Sequence, residues 1–430
     1  MKRRLLTLLV LLVAVAPLSY AAQVQGQESV TLNILVESGG FQLQEEVANL
    51  FEAETGHKVN FVQVPYAGVY EKLVAEMATG GDAFDVATID VIWIPALAQF
   101  AEPLDNLFSD EVKADLFPSL VADAQYGGHY VGMPAWANTE ILFYRKDLFE
   151  DPAEQAAFKE EYGYDLRPPT TWQEFIDVAV FFTRDTDGDG QIDLYGTDVK
   201  GAPSGADVEW FVHALQAGSP GAALDAEGNI IIDNEAHLKA LQFYVDLHCK
   251  YHVSPPNVLE IDWSVAQELF YQGQTAMTRF WAHAYRLVPE DAPVAGMVGA
   301  APMIAGEAGI AAVPGPWFNM VPVTSKNKEV AIEFVKFALE HNDLGMTAPL
   351  GLAASQAAYA KYVDEPGYEY VKPLMETLAS PQTLGRPLLE NWQEISDEVI
   401  VPLVQDALGC ETSPDEALGW GRDILEEILQ

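Results

Sequence analysis

The chain has 430 residues, of which 49% are hydrophobic and 20% are charged, and its formal net charge at pH 7 is −41. This length is enough for roughly two or three domains of ordinary size, each with its own hydrophobic core. So acidic a surface repels the phosphates of nucleic acid and of anionic lipid, and we expect neither as a partner. The charge fits an ordinary exported protein and also a protein that stays soluble in high salt.

The first 21 residues have the pattern of a signal peptide. Basic residues at 2–4 precede an apolar run over 5–18, and small residues at 19 and 21 suit a cleavage site. The apolar run is short for a membrane-spanning helix. No cysteine lies near the cleavage site, so we expect no lipid attachment. The sequence therefore predicts a secreted, periplasmic protein without a lipid anchor.

The next part of the chain predicts alternating strands and helices. Strands are expected over residues 31–36, 58–64 and 84–89, and helices over 42–55 and 70–78. Gly56 suits the end of the first helix. This order with short glycine-containing turns is typical of a mostly parallel sheet covered by helices, and hence of an α/β fold.

A second α/β region begins after residue 149. Thr171 and Glu174 have the spacing of a capping box, which predicts a helix that continues to residue 180. Amphipathic spacing predicts another helix over 327–339, and Ser413 with Pro414 marks the start of the last helix. Neither an internal repeat nor a low-complexity linker is found, which favours two interleaved lobes over two independent domains.

The loop at residues 185–193 resembles a calcium-binding loop. Acids occupy its first, third, fifth and ninth positions, and Gly190 occupies the sixth, where a sharp turn is needed. Position twelve is Gly196, so the usual bidentate acid is missing. A structural Ca²⁺ and a plain acidic turn both remain open. The predicted ligands are Asp185, Asp187, Asp189, Gln191 and Asp193.

The chain has two cysteines, Cys249 and Cys410. In an oxidising compartment they can pair, and the alternative is two separate buried thiols. His248 and His252 lie four residues apart around Cys249, but no clear further ligand accompanies them. We therefore expect ordinary histidines at a helix end here, and not a zinc site.

Several blocks of sequence resemble one family when they are taken in their order along the chain. The first is YVGMPAWANTEILFYRKDLF at 130–149, in which a turn with Gly-x-Pro leads into an extended run and then an apolar strand. The others are FEAETGHKV at 51–59, GDAFDV at 81–86, PTTWQEF at 169–175, FYQGQTAM at 270–277 and SKNKEVAIEF at 325–334. Together they resemble the extracellular solute-binding proteins of ABC-type sugar importers, in particular the maltose-binding-protein-like members.

The resemblance implies a two-lobed periplasmic-binding-protein fold, type II-like, with a ligand cleft between lobes joined by hinge crossings. The N-terminal lobe would hold residues 23–138 and 319–349, and the C-terminal lobe residues 139–318 and 350–430. Such a protein captures a mono- or oligosaccharide by hinge closure and delivers it to the permease subunits of an ABC importer. We expect a monomer without catalytic residues.

Candidate ligand contacts follow the first three predicted strands. In open α/β sheets, ligands bind at the carboxyl ends of parallel strands. Glu37 and Ser38 follow the first strand, Tyr66 the second, and Asp90 and Trp93 the third. Acids accept hydrogen bonds from sugar hydroxyls, and aromatic rings stack on the apolar faces of sugars.

Other candidates come from the resemblance. Trp136 and Asn138 lie in the first crossing, where the family places ligand contacts, and Asn138 stands where maltose-type members have an acid. Trp281 corresponds to the region of the family's stacking aromatic residue. The remaining candidates are Trp317 and Asn319 near the second crossing and Asp207 from the second lobe. Trp210 is expected in the core, and Trp263 and Trp392 are weaker candidates.

Two other kinds of function remain as alternatives. An exported glycoside hydrolase would use two carboxylates, but the chain has no nucleophile elbow, zinc helix or phosphate loop. A binding protein for a polyol or a polyamine, or one that serves a sensor or adhesion, would use the same two-lobed capture. Polyamine binding would require several acids beside the aromatic rings of the cleft.

Overall fold

The computed structural model describes residues 29–225 and 228–430. The predicted signal peptide, residues 1–21, lies outside the described residues, as do residues 23–28 of the predicted N-terminal lobe. Within the described part, no helix combines the length and the hydrophobicity needed to cross a membrane.

The described chain alternates between strands and helices. The strands are β1 (Thr31–Glu37), β2 (Lys58–Val64), β3 (Val86–Asp90), β4 (Gln125–Tyr126), β5 (His129–Tyr130), β6 (Met133–Trp136), β7 (Glu140–Arg145), β8 (Met277–Trp281), β9 (Val298–Ala301), β10 (Ala305–Gly306), β11 (Gly309–Ile310) and β12 (Trp317–Met320). The α-helices are α1 (Phe41–Thr55), α2 (Tyr66–Ala78), α3 (Ile94–Leu97), α4 (Asp110–Asp115), α5 (Pro118–Asp123), α6 (Lys146–Phe149), α7 (Pro152–Tyr162), α8 (Trp172–Phe182), α9 (Pro203–Gln216), α10 (Glu235–Cys249), α11 (Trp263–Tyr271), α12 (Lys328–Glu340), α13 (Gln356–Ala360), α14 (Val371–Leu378), α15 (Trp392–Ile395), α16 (Val401–Leu408) and α17 (Pro414–Ile428). A π-helical turn, Ser396–Ile400, joins α15 to α16.

The first lobe is built around a five-stranded sheet with the order β2-β1-β3-β12-β6. Strands β1, β2 and β3 are parallel, and β12 runs antiparallel to both β3 and β6. The carboxyl ends of four strands therefore lie at the same edge as the amino end of β12. On one side of this sheet, Phe51 of α1 packs edge-to-face against Phe334 of α12, with ring centroids 5.3 Å apart.

The second lobe has a smaller antiparallel sheet with the order β8-β7-β9. Side chains of β7 alternate between two hydrophobic cores, as expected for a strand that is covered on both faces. Ile141 and Phe143 join the core that includes the first lobe, whereas Leu142 joins a second core formed largely by helices α8, α9, α10, α16 and α17. The single strand β7 thereby ties the two cores together.

The chain crosses between the two sheets after β6 and returns before β12. The predicted return at residue 319 falls inside β12, which begins at Trp317. The start of the predicted 350–430 stretch packs against the first lobe, because the Tyr359 hydroxyl donates to the Ala137 carbonyl at 2.9 Å. Ala353 also accepts a hydrogen bond from the Ala137 amide at 2.7 Å. The exact boundaries of the lobes stay a prediction.

Cys249 and Cys410 form a disulfide, which decides an alternative that the sequence left open. The bond joins the end of α10 to the turn between α16 and α17, across a sequence separation of 161 residues. A cross-link that closes so long a loop restricts the unfolded chain, and the chain-entropy model gives it up to about 5 kcal/mol of stabilisation. It fastens the C-terminal helices to the body of the second lobe.

Candidate functional site

The edge where the strands of the first sheet end carries a group of polar and aromatic side chains. Glu37 is the last residue of β1, Asp90 is the last of β3, and Trp317 is the first of β12. Trp317 lies opposite Asp90 in the ladder. Because β12 runs antiparallel to its neighbours, its beginning meets their ends. Tyr66 begins α2 two residues after β2 and extends this group.

These residues line a cavity of about 650 Å³ between the two lobes. Two other cavities are slightly larger, at about 780 and 690 Å³, but neither is lined by an aromatic side chain. Aromatic rings beside polar groups are what a sugar-sized ligand requires. The predicted contacts that line the 650 Å³ cavity are Glu37, Tyr66, Asp90, Asn138, Asp207, Trp281 and Trp317. Their contact with a ligand stays a prediction.

Trp317 forms the aromatic floor on the side of the first lobe. Trp136 stacks behind it, with centroids 5.5 Å apart and an interplanar angle of 22°, and Trp93 meets it edge-to-face at 5.6 Å. The Trp136 ring also covers Gly40, where a Cβ would lie 2.5 Å from the ring. Trp93 and Trp136 are therefore not lining residues. They support the ring of Trp317 from behind.

Two further predicted contacts lie away from the cavity. Ser38 donates its hydroxyl to the Val64 carbonyl at 3.1 Å and fixes the loop after β1. Asn319 lies deeper in β12 and is 1% exposed, and its Oδ1 accepts a hydrogen bond from the Thr88 hydroxyl at 2.8 Å. A position two residues along a strand shares the face but not the edge of the sheet, which explains why Trp317 lines the cavity and Asn319 does not.

Asn138 lies in the first crossing and lines the cavity. Its Nδ2 lies 2.8 Å from Nδ1 of His283, and its Oδ1 accepts a hydrogen bond from the Thr139 amide at 3.1 Å. Burial lowers the pKa of His283 to about 4, so the imidazole is neutral at pH 7 and its Nδ1 accepts the hydrogen bond from Asn138. These bonds fix the amide in one orientation at the cavity wall.

Arg386 is the principal site residue that the sequence did not reveal. Its Nη2 lies 3.3 Å from Oδ1 of Asp90, while the Tyr66 hydroxyl donates to Oδ2 of Asp90 at 2.8 Å. Burial and the nearby Asp90 charge raise the pKa of Tyr66. Arg386 lies in the irregular segment between α14 and α15, where no periodic pattern or motif draws attention to it.

The second lobe supplies the opposite wall. Trp281 ends β8 and packs over Gly315, where a Cβ would lie 2.9 Å from the ring. Trp263 contacts Trp281 with centroids 5.4 Å apart. Asp207 of α9 is 8% exposed and accepts a hydrogen bond from the Ser396 hydroxyl at 3.2 Å. Burial raises the pKa of Asp207, against the opposing influence of Arg386.

Trp263, Trp392 and Asp397 also line the cavity. The two tryptophans were weaker candidates from sequence, because most tryptophans in a protein of this size lie in the core. Trp210 follows that expectation, since it is fully buried in the core of the second lobe. The sequence holds no local signal that separates these cases.

The acidic loop at residues 185–193 lies apart from the cavity. Carboxylate oxygens of Asp185, Asp187 and Asp193 lie within 4.8 Å of one another. Asp185 also accepts hydrogen bonds from the amides of Gly188 and Gly190, at 2.6 and 2.7 Å, which lower its pKa. Three converging carboxylates around a tight turn are compatible with a hard cation.

Residues 37–342 match the model of a protein family described as bacterial extracellular solute-binding proteins. The chain belongs to this family. The match includes every strand except most of β1, and most of the cavity wall, which confirms the family that the sequence blocks predicted.

Individual relatives agree with this assignment. A probable ABC transporter-binding protein of Deinococcus radiodurans is 28% identical over 333 residues, which cover 74% of each chain. Maltose-bound MalE3 of T. maritima matches with a TM-score of 0.74 and 26% identity, over 93% of this chain and 100% of that one. A solute-binding protein of Thermotoga lettingae, bound to alpha-D-tagatose, has the same TM-score and identity over 94% and 100%. The predicted two-lobed α/β fold and the predicted class, a solute-binding protein, are both confirmed.

Proposed function

We propose that this solute-binding protein captures a carbohydrate between its lobes and delivers it to the permease subunits of an ABC importer. The observation that carries the proposal is the cavity at the strand ends, where Tyr66, Trp281 and Trp317 accompany polar side chains. The names of the relatives support it, because one is an ABC transporter-binding protein and two similar structures hold maltose and tagatose.

The geometry suggests how a sugar is held. The rings of Trp317 and Trp281 belong to different lobes and offer flat surfaces for the C–H faces of a pyranose. Asp90, Arg386 and Asn138 offer an acceptor, a donor and an amide to its hydroxyl groups. A ligand that contacts both lobes favours the closed form by its differential affinity for that form, so closure follows from binding.

The protein is further proposed to act in the periplasm as a monomer, without changing its ligand chemically. Asp90 is already engaged by Arg386 and Tyr66, which suits it to hold hydroxyls and not to exchange protons. A glycoside hydrolase would need one carboxyl poised as an acid and a second as a base or nucleophile.

A ligand screen tests the proposal. The mature protein is heated with maltose, tagatose, mannitol and a panel of other sugars and polyols, and with spermidine as a polyamine. At least one carbohydrate is expected to raise the melting temperature and to change tryptophan fluorescence, because ligands that bind the native state stabilise it. Chromatography of the recovered ligand should show it unchanged. Hydrolysis of a glycoside, or stabilisation by spermidine alone, would refute carbohydrate capture.

We also propose that the loop at 185–193 holds a structural Ca²⁺. Asp185, Asp187 and Asp193 would bind the ion, with Asp189 and the backbone of Gln191 as further predicted ligands. Chelator should then lower the melting temperature, and added calcium should restore it. The Asp187→Asn variant should lose this response, whereas Asp423→Asn, an exposed change in α17, should keep it. A melting temperature that changes with neither chelator nor calcium would contradict the proposed Ca²⁺ site.

A further inference from the structure

The charges that line the cavity do not balance. Glu37, Asp90, Asp207 and Asp397 provide four carboxylates, and Arg386 provides one guanidinium. Four negative charges and one positive charge leave a formal excess of three negative charges. Among the described lining residues, the only other basic side chain is an imidazole that burial keeps neutral at pH 7.

The carboxylates of Glu37, Asp207 and Asp397 accept hydrogen bonds from neutral groups, although the charge of Arg386 also acts on Asp207. Glu37 accepts a hydrogen bond from the Gly40 amide at 2.8 Å, and Asp397 accepts one from the Gln393 side chain at 3.0 Å. Asp207 accepts its bond from a serine hydroxyl and is largely buried. Such bonds orient a carboxylate but leave its charge in place.

The carboxylates come from both lobes. Glu37 and Asp90 end strands of the first sheet, whereas Asp207 and Asp397 lie on helical segments of the second lobe. Closure of the lobes therefore brings like charges towards each other in a space from which water is leaving, and their repulsion grows as the effective dielectric falls. Burial already disfavours the charged form of Asp207 and raises its pKa.

A neutral sugar does not remove the excess charge. Its hydroxyls donate hydrogen bonds to carboxylates but leave the negative charges of the cavity uncompensated. A protonated amine donates hydrogen bonds and also neutralises charge. The rings of Tyr66, Trp281 and Trp317 add a second attraction, because their faces bind cations as well as C–H groups.

A metal ion is a poorer complement for this cavity. Within the described ranges, no three of its carboxylates place oxygens within 4.8 Å of one another. Divalent cations need such convergence. The spread of carboxylates over both walls fits an organic cation whose charge is attached to a larger body.

We propose that the ligand is a saccharide or polyol that carries a basic nitrogen, such as an amino sugar, and that Glu37, Asp207 and Asp397 select its charge. This inference rests on the proposed carbohydrate binding and specifies its substrate class. The amino group lies between the acidic walls, while the carbohydrate body stacks on the aromatic rings.

Matched pairs of ligands test the inference by titration calorimetry at low and high salt. The pairs are D-glucose with D-glucosamine, D-galactose with D-galactosamine, and sorbitol with 1-amino-1-deoxy-sorbitol. In at least one pair the amino compound should bind about tenfold tighter or better at low salt, an order expected for charge complementarity at short range. The difference should shrink in high salt.

Two charge-neutralising variants locate the effect. Asp397→Asn and Glu37→Gln should each narrow the difference within a pair. Glu398→Gln is the matched control, because it removes one charge from the same helical turn and is not among the lining residues. A preference for the amine that is the same in Asp397→Asn, Glu37→Gln and Glu398→Gln would overturn the assignment to these carboxylates.

The outcomes also separate this inference from the proposed function. If neutral members bind as tightly as their amino partners, or more tightly, the charge selection is wrong and carbohydrate capture stands. If no member of any pair and no other carbohydrate of the screen binds, the proposed function fails and this inference fails with it.

Discussion

The binding cavity and the buried charge cluster of the second lobe both collect acids beside aromatic rings, but they treat charge in opposite ways. We use the name charge cluster for Glu140, Asp198, Lys200, Glu209 and Arg279, all of them fully buried. In the cluster each cation lies next to an acid. Lys200 Nζ is 2.7 Å from Asp198 and 2.6 Å from Glu209, and Arg279 is 3.0 Å from Glu209.

The difference teaches which charges are available to a ligand. Glu140 is the cluster's surplus acid, and burial together with the neighbouring Glu209 charge raises its pKa. Both cations of the cluster therefore have acidic partners within it, whereas Glu37 and Asp397 of the cavity accept hydrogen bonds only from neutral groups and remain in reach of solvent. The two regions meet at Trp263, because Lys200 Nζ lies 4.9 Å from the ring centroid of this cavity residue.

The largest effect should come from breaking the balance of the cluster. Lys200→Met leaves buried carboxylates without their cation, and loss of one partner in such a network costs about 3–5 kcal/mol. Urea unfolding should report this loss of stability. The control is Lys239→Met, which removes a lysine from exposed pairs with Glu235 and Glu307 and should change the free energy of unfolding far less. Similar losses in the two variants would contradict the comparison.

Asp123 combines a property of each region. Its carboxyl group is buried, as are the acids of the charge cluster, and it lies near Arg386, as does Asp90 of the cavity. Burial raises its pKa from 3.8 to about 7, although Arg386 opposes this rise. Between these values the native state binds a proton that the unfolded state has released. Wild-type stability should therefore fall as pH rises from about 4 to about 7, by at most about 4 kcal/mol from this group.

The Asp123→Asn variant has no carboxyl group to ionise at this position. Its unfolding free energy should therefore depend less steeply on pH than that of the wild type. It should gain most relative to wild type above pH of about 7, where the native carboxyl is forced to ionise. Urea unfolding of both proteins on either side of the window measures the effect. If the unfolding free energies of the two proteins changed with pH in parallel, Asp123 would not be the group responsible for the pH dependence.

The smallest effect on stability should come from the cavity wall. Trp281→Ala should weaken ligand binding about 30-fold, which corresponds to about 2 kcal/mol for the loss of a stacking aromatic anchor. Trp210→Ala, in the core, should instead cost about 3–5 kcal/mol of folding stability and leave the affinity of the folded protein unchanged. Calorimetry and urea unfolding separate the two. If Trp281→Ala instead lowered the free energy of unfolding and left ligand affinity unchanged, Trp281 would be a core residue and not a ligand contact.

Local sequence predicted many elements closely. The strand at 58–64 was predicted with its observed bounds, because its alternation is enclosed by Gly56 and Pro65. The helix start predicted at Ser413 and Pro414 is confirmed, since Ser413 caps α17 and Pro414 is its first residue. The helix predicted from residue 70 begins instead at Tyr66, directly after Pro65. The first turn of α2, residues 66–69, was absent from the prediction. It has no apolar stripe, so hydrophobic periodicity alone did not reveal it.

The strand β12, which runs antiparallel and brings Trp317 to the edge where Asp90 lies, was not predicted. Sequence by itself determined the α/β alternation of the first lobe, the family, and the place of Glu37 and Asp90 at the carboxyl ends of parallel strands. These features depend on local periodicity and on the rule that parallel strands share their carboxyl ends. Only the tertiary structure decided that Arg386 faces Asp90, and that Trp317 lines the cavity while Trp136 supports it. Irregular segments have no periodicity from which the direction of a side chain can be inferred. A tryptophan that lines the cavity and one that packs behind it also have no distinguishing pattern in the sequence. Which charges find partners was therefore settled by long-range packing.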